Sequence, residues 1–540
     1  MALRRASLCT MWSLSRDFHR PGRSAALAAN GLCATSHPLA AKVAIEILER
    51  GGNAADAAIA GAVLLGFAEP QSCGIGGDCF VLVKPAGSEE VLALNGSGRA
   101  PAGLSAEALR ARGVTTIGTE SIESVTIPGA IDAFCALAGR HGRLGLAECL
   151  APAIRYAEEG VPVAPRVAFD WPDDGARLTG VARDFYMTGG QPLKAGEIFR
   201  APGQAEVLRR IAREGRAGFY EGEVAADMVR SLAARGGSHG LEDFAQVRSD
   251  WGKPVRGDYR GHSLLEHPPN GQGATAILLL KILSHFDLAA LDPTGPERIH
   301  LQAEAAKLAY DARDRFIADP DHTARLEHML SDETAARLAA LIDPGRVLDA
   351  VPRRTEAIHR DTVYLTVVDR DRMAVSMIYS TYWGFGSGIA SEKFGILFQN
   401  RGAGFTLEKG HPNEAAGGKR PMHTIIPAML ARRGRILMPF GVMGGSYQPM
   451  GHAQVVSNML DHGLGPQAAI DAPRVMAEFG ELKLERGIPE ATARALADLG
   501  HRLTVPQDPL GGGQAILIDH ERGVLIGASD PRKDGCALGY

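Results

Sequence analysis

Hydrophobic and polar positions divide the chain into a mainly helical part and a strand-rich part. The first folded segment reads as two helices, with Ser36 or Thr35 as the expected cap of the first. Gly51 and Gly52 separate the two helices, because glycine readily takes the positive φ at which helices end. The second helix is apolar on most faces over 54–67, which predicts that it is buried.

Further along the chain, helical periodicity gives way to strands. Amphipathic patterns predict helices through most of 105–350, such as 296–316. The segments 362–368 and 373–380 are instead rich in Val, Thr, Tyr and Ile, and the polar turn 369–372 joins them into a predicted hairpin. Since no linker-like composition separates the two parts, they fit either two domains or one layered α+β domain.

The composition is that of a folded protein with one unusual feature. Of the 540 residues, 45% are hydrophobic and 22% are charged, and the net charge is −4. These values argue against wholesale disorder and give no electrostatic case for nucleic acid or an anionic membrane as a partner. Length alone suggests about three or four domains. Glycine is in excess at 65 residues, about 12% against a usual ~7%.

Cysteines and apolar segments bear on compartment and cofactors. The seven cysteines are scattered without a CxxC pair, so neither a disulfide framework nor a structural zinc site is expected. The longest apolar run, 57–68, has twelve residues, whereas a transmembrane helix needs about 20. The N-terminus lacks the apolar core of a secretory signal, and only its Arg and Ser content suggests organelle targeting. A cytoplasmic location is therefore expected.

Familiar catalytic motifs do not account for the sequence. The glycines before Lys419 are followed by Arg420 in place of Ser or Thr, so there is no P-loop, and HExxH and EF-hand patterns are absent. The string 236–240 matches GxSxG, but a nucleophile elbow follows a strand, and here an amphipathic helix precedes it. We interpret Ser238 as part of a helix-ending turn; an α/β-hydrolase that uses Ser238 is the alternative.

Nine short motifs occur in one order between residues 30 and 460. They are SHPLA, GGNAADAA, EPQSCGIGGDCF, VTIPGA, FYEG, TVYLTVVD, GFGSG, KRP and GGSYQP. In this order they resemble the gamma-glutamyltransferase family over nearly the whole chain. The strings NGSGRAP, QNRGAGF, GKRPMHTIIPAM and FGVMGGSYQPMGH are more similar to the amidohydrolase-like branch, which includes oxamate amidohydrolase.

The resemblance implies a fold and a processing event. The fold would be the four-layer αββα sandwich of the N-terminal-nucleophile hydrolases, within the α+β class. A precursor would cut itself between Asp361 and Thr362, so that a large part, 31–361, and a small part, 362–540, form one domain after an N-terminal extension, 1–30. The freed Thr362 would supply a hydroxyl nucleophile and, through an α-amino group of pKa ~7.7–8.0, the base. No metal or other cofactor is then expected.

The resemblance also gives Thr362 a partner hydroxyl. A hairpin turn centred on residue 371 sets Ser380 opposite Thr362, at the position where the family carries a second hydroxyl that bonds the nucleophile. Because strand register is uncertain by a residue or two, Thr381 is a substitute candidate.

Glycine loops at 74–77, 384–388 and 441–445 do not match the dinucleotide fingerprint and read as turns. The resemblance assigns one pair a chemical role. Gly444 and Gly445 match the family's oxyanion-hole pair, whose backbone N–H groups stabilise a tetrahedral intermediate.

The predicted acyl pocket departs from the gamma-glutamyl pattern. Where the transferases hold the substrate carboxylate with an arginine, this chain has Ser97, with Arg99 two residues away as a substitute. Arg401 stands where the transferases hold the substrate ammonium, and His423 and Thr424 replace their Ser-Ser pair. Loss of a buried charge partner costs about 2–5 kcal/mol of binding free energy. A cation at position 401 would also repel the ammonium group of a gamma-glutamyl substrate.

We therefore predict a self-processing amidohydrolase that cleaves a small anionic amide, such as oxamate, through an acyl-enzyme on Thr362. Arg401 and Arg99 would bind the carboxylate, and His423 and Thr424 would add hydrogen bonds. The alternatives are a true gamma-glutamyltransferase or glutathione hydrolase, and an unprocessed, inactive relative that acts as a binding protein. The expected partners are a small-molecule amide and the two parts of the precursor, with neither nucleic acid nor membrane.

Overall fold

The computed structural model describes residues 12–19, 22–348 and 362–540. Asp361, which precedes the expected cut, lies outside the described residues. Within these residues, two seven-stranded sheets form the centre, beside one small sheet of three strands and one of two. The strands are β1 (Ala26–Ala28), β2 (Leu32–Thr35), β3 (Asp78–Lys84), β4 (Leu92–Gly96), β5 (Val161–Pro162), β6 (Ile198–Phe199), β7 (Asp250–Gly252), β8 (Val255–Tyr259), β9 (His262–Glu266), β10 (Val363–Val368), β11 (Ala374–Ser380), β12 (Ala428–Arg432), β13 (Arg435–Met443), β14 (Val475–Glu478), β15 (Glu481–Leu484), β16 (Leu503–Thr504), β17 (Gly512–Asp519), β18 (Val524–Ser529) and β19 (Cys536–Gly539).

Both large sheets contain strands from each side of the expected cut. The first has the order β1-β18-β17-β13-β12-β9-β8 and the second the order β19-β2-β10-β11-β3-β4-β7. Neighbouring strands in both sheets run antiparallel. The strands β10 and β11, which follow the expected cut, lie between β2 and β3, which precede it.

Helices cover the outer faces of both sheets, and apolar clusters fill the spaces between the layers. One cluster joins the second sheet to helices that include Pro38–Glu49 and Ala54–Ala68. Another joins the first sheet to helices that include Gly273–Leu283 and Pro296–Phe316. A third lies between the two sheets. The predicted αββα order is therefore confirmed. The helices are Pro38–Glu49, Ala54–Ala68, Ala106–Ala111, Ala130–His141, Leu146–Glu159, Pro165–Gly175, Val181–Tyr186, Pro202–Glu214, Ala217–Tyr220, Gly222–Ala233, Leu241–Ala245, Gly273–Leu283, Pro296–Phe316, Leu326–Met329, Asp332–Ala339, Gln448–Leu460, Pro466–Asp471 and Glu490–Asp498, with 3-10 turns at Ile122–Ser124, Leu288–Ala290, Arg401–Gly404 and Gly445–Tyr447.

The first two helices are correctly predicted, but the cap of the first is not. His37 is the N-cap, and its Nδ1 accepts a hydrogen bond of 3.2 Å from the Leu39 N–H. Ser36, one of the two residues expected there, instead donates to the buried Glu69 carboxylate. The second helix is buried along its whole length, as its apolar faces predict.

Part of the N-terminal extension packs against the body of the protein. Trp12 is buried, and its Nε1 donates to the Met459 carbonyl at 3.1 Å. The short strand β1 adds an edge to the first sheet through β18. The boundary predicted at residue 30 stays a prediction. No helix in the described part of the chain combines the length and the apolar character needed to cross a membrane.

Candidate active site

Thr362 lies at the start of the central strand β10, opposite the end of β11. Within this hairpin Val363 pairs with Tyr379, which is the register of a turn centred on residue 371. Thr362 Oγ1 is 3.3 Å from Ser380 Oγ, and both residues are fully buried. Thr381 turns its hydroxyl toward a backbone carbonyl two residues on. The predicted hairpin register is therefore confirmed, and the neighbouring hydroxyl belongs to Ser380.

The backbone after β11 holds Ser380 in place. Ser380 Oγ accepts a hydrogen bond of 2.8 Å from the Tyr382 N–H, so the hydroxyl can act as a donor toward Thr362. Tyr382 has a φ of +82°, a left-handed value that costs a non-glycine residue about 1–3 kcal/mol. This conformation directs its N–H to Ser380 while its ring faces Arg401.

Arg401 is a buried cation with unused donors. It is 1% exposed, and its Nη1 donates to Thr424 Oγ1 at 2.9 Å. Its guanidinium carbon lies 3.9 Å from the centre of the Tyr382 ring. Its Nε and Nη2 find no hydrogen-bond partner among the described residues. Burial lowers the pKa of Arg401 to about 10, opposed by Tyr382 and Asp78, so the group is charged at neutral pH. Buried donors without partners are costly, so such a group is chemically suited to bind an anion.

Asp78 connects His423 to the backbone. Its Oδ1 accepts from the N–H groups of Gly98 at 2.9 Å and Gly129 at 3.2 Å, and its Oδ2 is 3.2 Å from His423 Nε2. His423 Nδ1 accepts from the Ile425 N–H at 3.3 Å, which assigns the ring proton to Nε2, facing the carboxylate. Burial raises the pKa of Asp78 to about 6, opposed by a nearby arginine and the two backbone donors. Asp78 is thus ionised at neutral pH, and His423 is engaged by it.

Gly444 and Gly445 form the turn that follows β13. Their φ values are +117° and +56°, in the region that favours glycine. A Cβ on Gly444 would lie 2.9 Å from the Gly511 Cα. Both the conformation and the close approach of a second backbone therefore require glycine at position 444.

Gln272 joins this turn to Thr424, the residue whose hydroxyl contacts Arg401. Its Nε2 donates to the Gly445 carbonyl at 2.9 Å and to the Thr424 carbonyl at 2.7 Å. Its Oε1 accepts from Arg313 Nη1 at 2.8 Å, which fixes the orientation of the amide. One side chain thus sets the distance between the candidate oxyanion donors and the Thr424 hydroxyl that Arg401 contacts.

Arg99 is placed elsewhere. Its side chain is 43% exposed and lies 3.4 Å from Asp319 and 3.6 Å from Asp250. It lines a cavity of about 570 Å³ whose described lining includes neither Thr362 nor Arg401. Thr424 therefore contacts Arg401. Arg99 contacts Asp250 and Asp319 instead, which gives no support to its prediction as a second ligand of a substrate carboxylate.

Three residues of the site were missed from the sequence. Asp78 had a signal, since it ends the glycine loop that leads into β3. Gln272 had only a turn-like setting, and the positive φ of Tyr382 has no sequence signature. Their roles depend on contacts between segments far apart in the chain.

Ser238 lies in the turn between the helices Gly222–Ala233 and Leu241–Ala245. A nucleophile elbow requires a strand directly before the serine, and here a helix ends before it. The helix-ending interpretation of Ser238 is confirmed, and the α/β-hydrolase alternative is wrong.

Comparison with known proteins finds relatives along the whole chain. The family model for gamma-glutamyltranspeptidase matches residues 40–540. A glutathione hydrolase-like YwrD proenzyme of Bacillus subtilis is 36% identical, over 93% of this chain and 97% of its own. An oxamate amidohydrolase proenzyme of Klebsiella pneumoniae is 32% identical, over 96% of this chain and 100% of its own. The crystal structure of a cephalosporin acylase from Bacillus halodurans has 40% identity and a TM-score of 0.91, covering 97% of this chain and 99% of its own.

Proposed function

Because the chain belongs to the gamma-glutamyltranspeptidase family of N-terminal-nucleophile hydrolases, it is an enzyme of the amidohydrolase and acyltransferase kind, and we propose Thr362 as its nucleophile. The observation that carries this proposal is the 3.3 Å contact between Thr362 Oγ1 and Ser380 Oγ at the start of a central strand. Relatives are named proenzymes, which implies processing into two subunits and a small-molecule substrate. We propose the bond between Asp361 and Thr362 as the cut.

The proposed reaction uses residues that surround Thr362. The freed α-amino group takes the proton from Oγ1, Oγ1 attacks the amide carbonyl carbon, and the carbon–nitrogen bond breaks as the amine leaves with that proton. Ser380 orients Oγ1, and the N–H groups of Gly444 and Gly445 stabilise the oxyanion. Water or another acceptor then attacks the resulting ester and regenerates Thr362.

The substrate class follows from Arg401. Its Nε and Nη2 are adjacent donors on one edge of the guanidinium and form the fork that binds a carboxylate through two parallel hydrogen bonds. Thr424 would orient this fork through its contact with Nη1. Asp78 is an acidic group whose charge acts on Arg401. It already accepts two backbone hydrogen bonds and faces His423, so it offers little to a substrate ammonium. We therefore propose a small acyl group that carries a carboxylate and no α-amino group, as in oxamate.

The other residues predicted to bind the substrate have different roles in this proposal. Thr424 contacts the group that would bind the carboxylate, whereas His423 acts through Asp78 on the shape and charge of the pocket. Binding by Arg99 stays a prediction that the contacts of Arg401 do not support.

A glutathione hydrolase is the second candidate, because a relative with 36% identity is named glutathione hydrolase-like. Turnover of oxamate and of a gamma-glutamyl anilide by the purified protein separates the two candidates. We expect a higher kcat/KM for oxamate; a higher value for the anilide would overturn the substrate class.

Mass spectrometry of the purified protein tests the nucleophile separately from the substrate. A cut before Thr362 gives chains of 361 and 179 residues, the second being 540 − 361. Edman sequencing of the smaller chain should begin with Thr-Val-Tyr. A single intact chain without amidase activity would instead favour the unprocessed binding protein.

A further inference from the structure

A buried group of metal-binding side chains lies apart from Thr362 and its partners. His300 and Glu304 occupy the helix Pro296–Phe316, and His501 follows the helix Glu490–Asp498. One ligand atom from each of the three lies within 4.8 Å of the others. All three residues are buried. Because His300 and Glu304 are four positions apart, they project from the same helix face.

The hydrogen bonds of His300 fix its tautomer and direct one ring nitrogen at His501. Its Nε2 lies 2.8 Å from the Asp343 carbonyl, which only accepts, so Nε2 carries the proton. Its Nδ1 therefore carries the lone pair, which accepts a hydrogen bond of 2.8 Å from His501 Nε2. A cation bound between the two nitrogens would take the place of this proton, which would move to His501 Nδ1. Metal-binding histidines characteristically donate their second ring N–H to a carbonyl or carboxylate in this way, which fixes the tautomer and the ring orientation.

Glu304 is oriented in a similar manner. Its Oε2 accepts from the Leu348 N–H at 2.7 Å, and its Oε1 lies 2.7 Å from Lys307 Nζ. The first contact holds the carboxylate toward the histidines. The Lys307 ammonium is a competitor that a bound cation would displace. Its side chain is 16% exposed, so it has a route to solvent.

We infer that His300, Glu304 and His501 form a binding site for Zn²⁺, with water as the fourth ligand. Two imidazole nitrogens and one carboxylate oxygen are a donor set that zinc prefers. In tetrahedral zinc, bonds of ~2.0–2.1 Å set the ligand atoms about 3.3 Å apart, so small side-chain rotations suffice. The absence of a CxxC pair excluded only zinc bound by cysteines, and this site takes no part in the chemistry of Thr362.

The site joins segments from both sides of the expected cut. His300 and Glu304 precede residue 361 and His501 follows it, while Asp343 and Leu348 belong to the last described stretch before the cut. Bound zinc would therefore tie these segments together, whether or not the chain is processed.

Zinc retention by the full-length purified protein tests this site. After treatment with a chelator and gel filtration, the protein is supplied with Zn²⁺ alone and filtered again, and its zinc content is measured by mass spectrometry. We expect about one zinc ion per chain. Co²⁺ in place of zinc should give the visible absorption bands of a tetrahedral ion. Zinc at background level in the wild-type protein would mean a hydrogen-bonded histidine pair only and would overturn the site.

Substitutions in and beside the cluster should change zinc affinity in opposite directions. Glu304→Gln and His501→Gln should weaken zinc binding by more than the ~10–100-fold that loss of an outer-shell partner costs. Lys307→Met should strengthen it, because the competing ammonium is removed. His322→Gln is the matched control, since this half-exposed histidine lies outside the cluster, and it should bind zinc as the wild type does. Equal zinc affinity in all four variants would overturn the site. The cobalt spectrum is measured on the wild-type protein, so the test still holds if one variant misfolds.

Discussion

Thr362 and Ser380 face each other across the open end of the β10–β11 hairpin, with their hydroxyl oxygens 3.3 Å apart. This relationship depends on register, because a shift of one residue turns every side chain of a strand to the opposite face. The hairpin turn therefore determines which hydroxyl accompanies the candidate nucleophile.

Thr362→Ala should remain a single chain and should lack amidase activity, because it has no hydroxyl to attack either its own peptide bond or the substrate. Thr362→Ser retains a hydroxyl and should be cut, although more slowly. Denaturing gel electrophoresis and mass spectrometry after purification check both variants. Cleavage before residue 362 in the alanine variant would show that another group performs it.

Ser380→Ala should lower kcat about two- to tenfold, which corresponds to the ~0.5–1.5 kcal/mol net value of one buried hydrogen bond. Ser380→Thr keeps the hydroxyl and should recover most of the loss. Steady-state kinetics on fully processed protein separates this effect from slower processing. Unchanged kcat in the alanine variant would argue against contact with the nucleophile during catalysis.

Arg401→Met should raise KM for an anionic amide about thirtyfold or more, from the ~2–5 kcal/mol cost of losing a buried charge partner. Thermal stability should not fall, because replacing a buried, incompletely paired cation by an apolar side chain of similar length is often neutral or stabilising. An uncharged amide substrate serves as the control, since its KM should change little. An equal rise in KM for both substrates would mean general damage to the pocket.

Gly444→Ala should lower kcat by about 10²–10³, the cost of losing one oxyanion donor, because a Cβ would push against Gly511. Gly434→Ala is the matched control. Gly434 has a φ of +79°, and a Cβ there meets nothing within 4 Å, so this variant should lose stability but keep its kcat. Equal losses of kcat in both variants would point to backbone strain in general.

The stability of the protein should depend on pH through His452. Its Nδ1 lies 2.7 Å from Glu266 Oε1, its Nε2 accepts from the Val442 N–H, and burial lowers its pKa to about 3. Between pH 6.5 and about 3 the unfolded histidine binds a proton that the folded one does not. The free energy of unfolding should therefore fall as pH falls, by up to about 1.4 kcal/mol per pH unit for this residue.

Urea unfolding of the wild type and of His452→Gln over this pH range isolates the contribution. Burial raises the pKa of Glu266, whose effect on the pH dependence has the opposite sign. The difference in unfolding free energy should change with pH with the stated sign. Parallel pH profiles would show that His452 does not titrate between the two states.

The elements that the sequence predicts correctly are those decided by local composition. Residues 54–67 are apolar on most faces, so a buried helix is the stable outcome. The β-branched and aromatic residues of β10 and β11, with a polar turn between them, specify a hairpin, whereas its register was predicted only to within a residue or two. The layer order was implied by the family resemblance, because periodicity alone allowed two domains or one.

What the sequence could not supply depends on long-range contacts. Nothing near Arg99 or Arg401 in the chain indicates that the first lies beside Asp319 and the second is buried with unused donors. The helix cap at His37 likewise reflects the engagement of Ser36 by Glu69, a residue 33 positions away.

The second sheet combines strands from both sides of the expected cut, so cleavage of the chain and separation of its two products are different events. Since β10 and β11 lie between β2 and β3, breaking the chain before Thr362 leaves every ladder of the second sheet hydrogen-bonded. Cleavage is therefore not dissociation, and the two products should copurify without any dedicated interface. Made as independent polypeptides, each would expose unpaired inner strands, which promote aggregation. Synthesis as one chain lets the sheets form first, and the proposed nucleophile, Thr362, would be exposed afterwards at no cost in strand pairing.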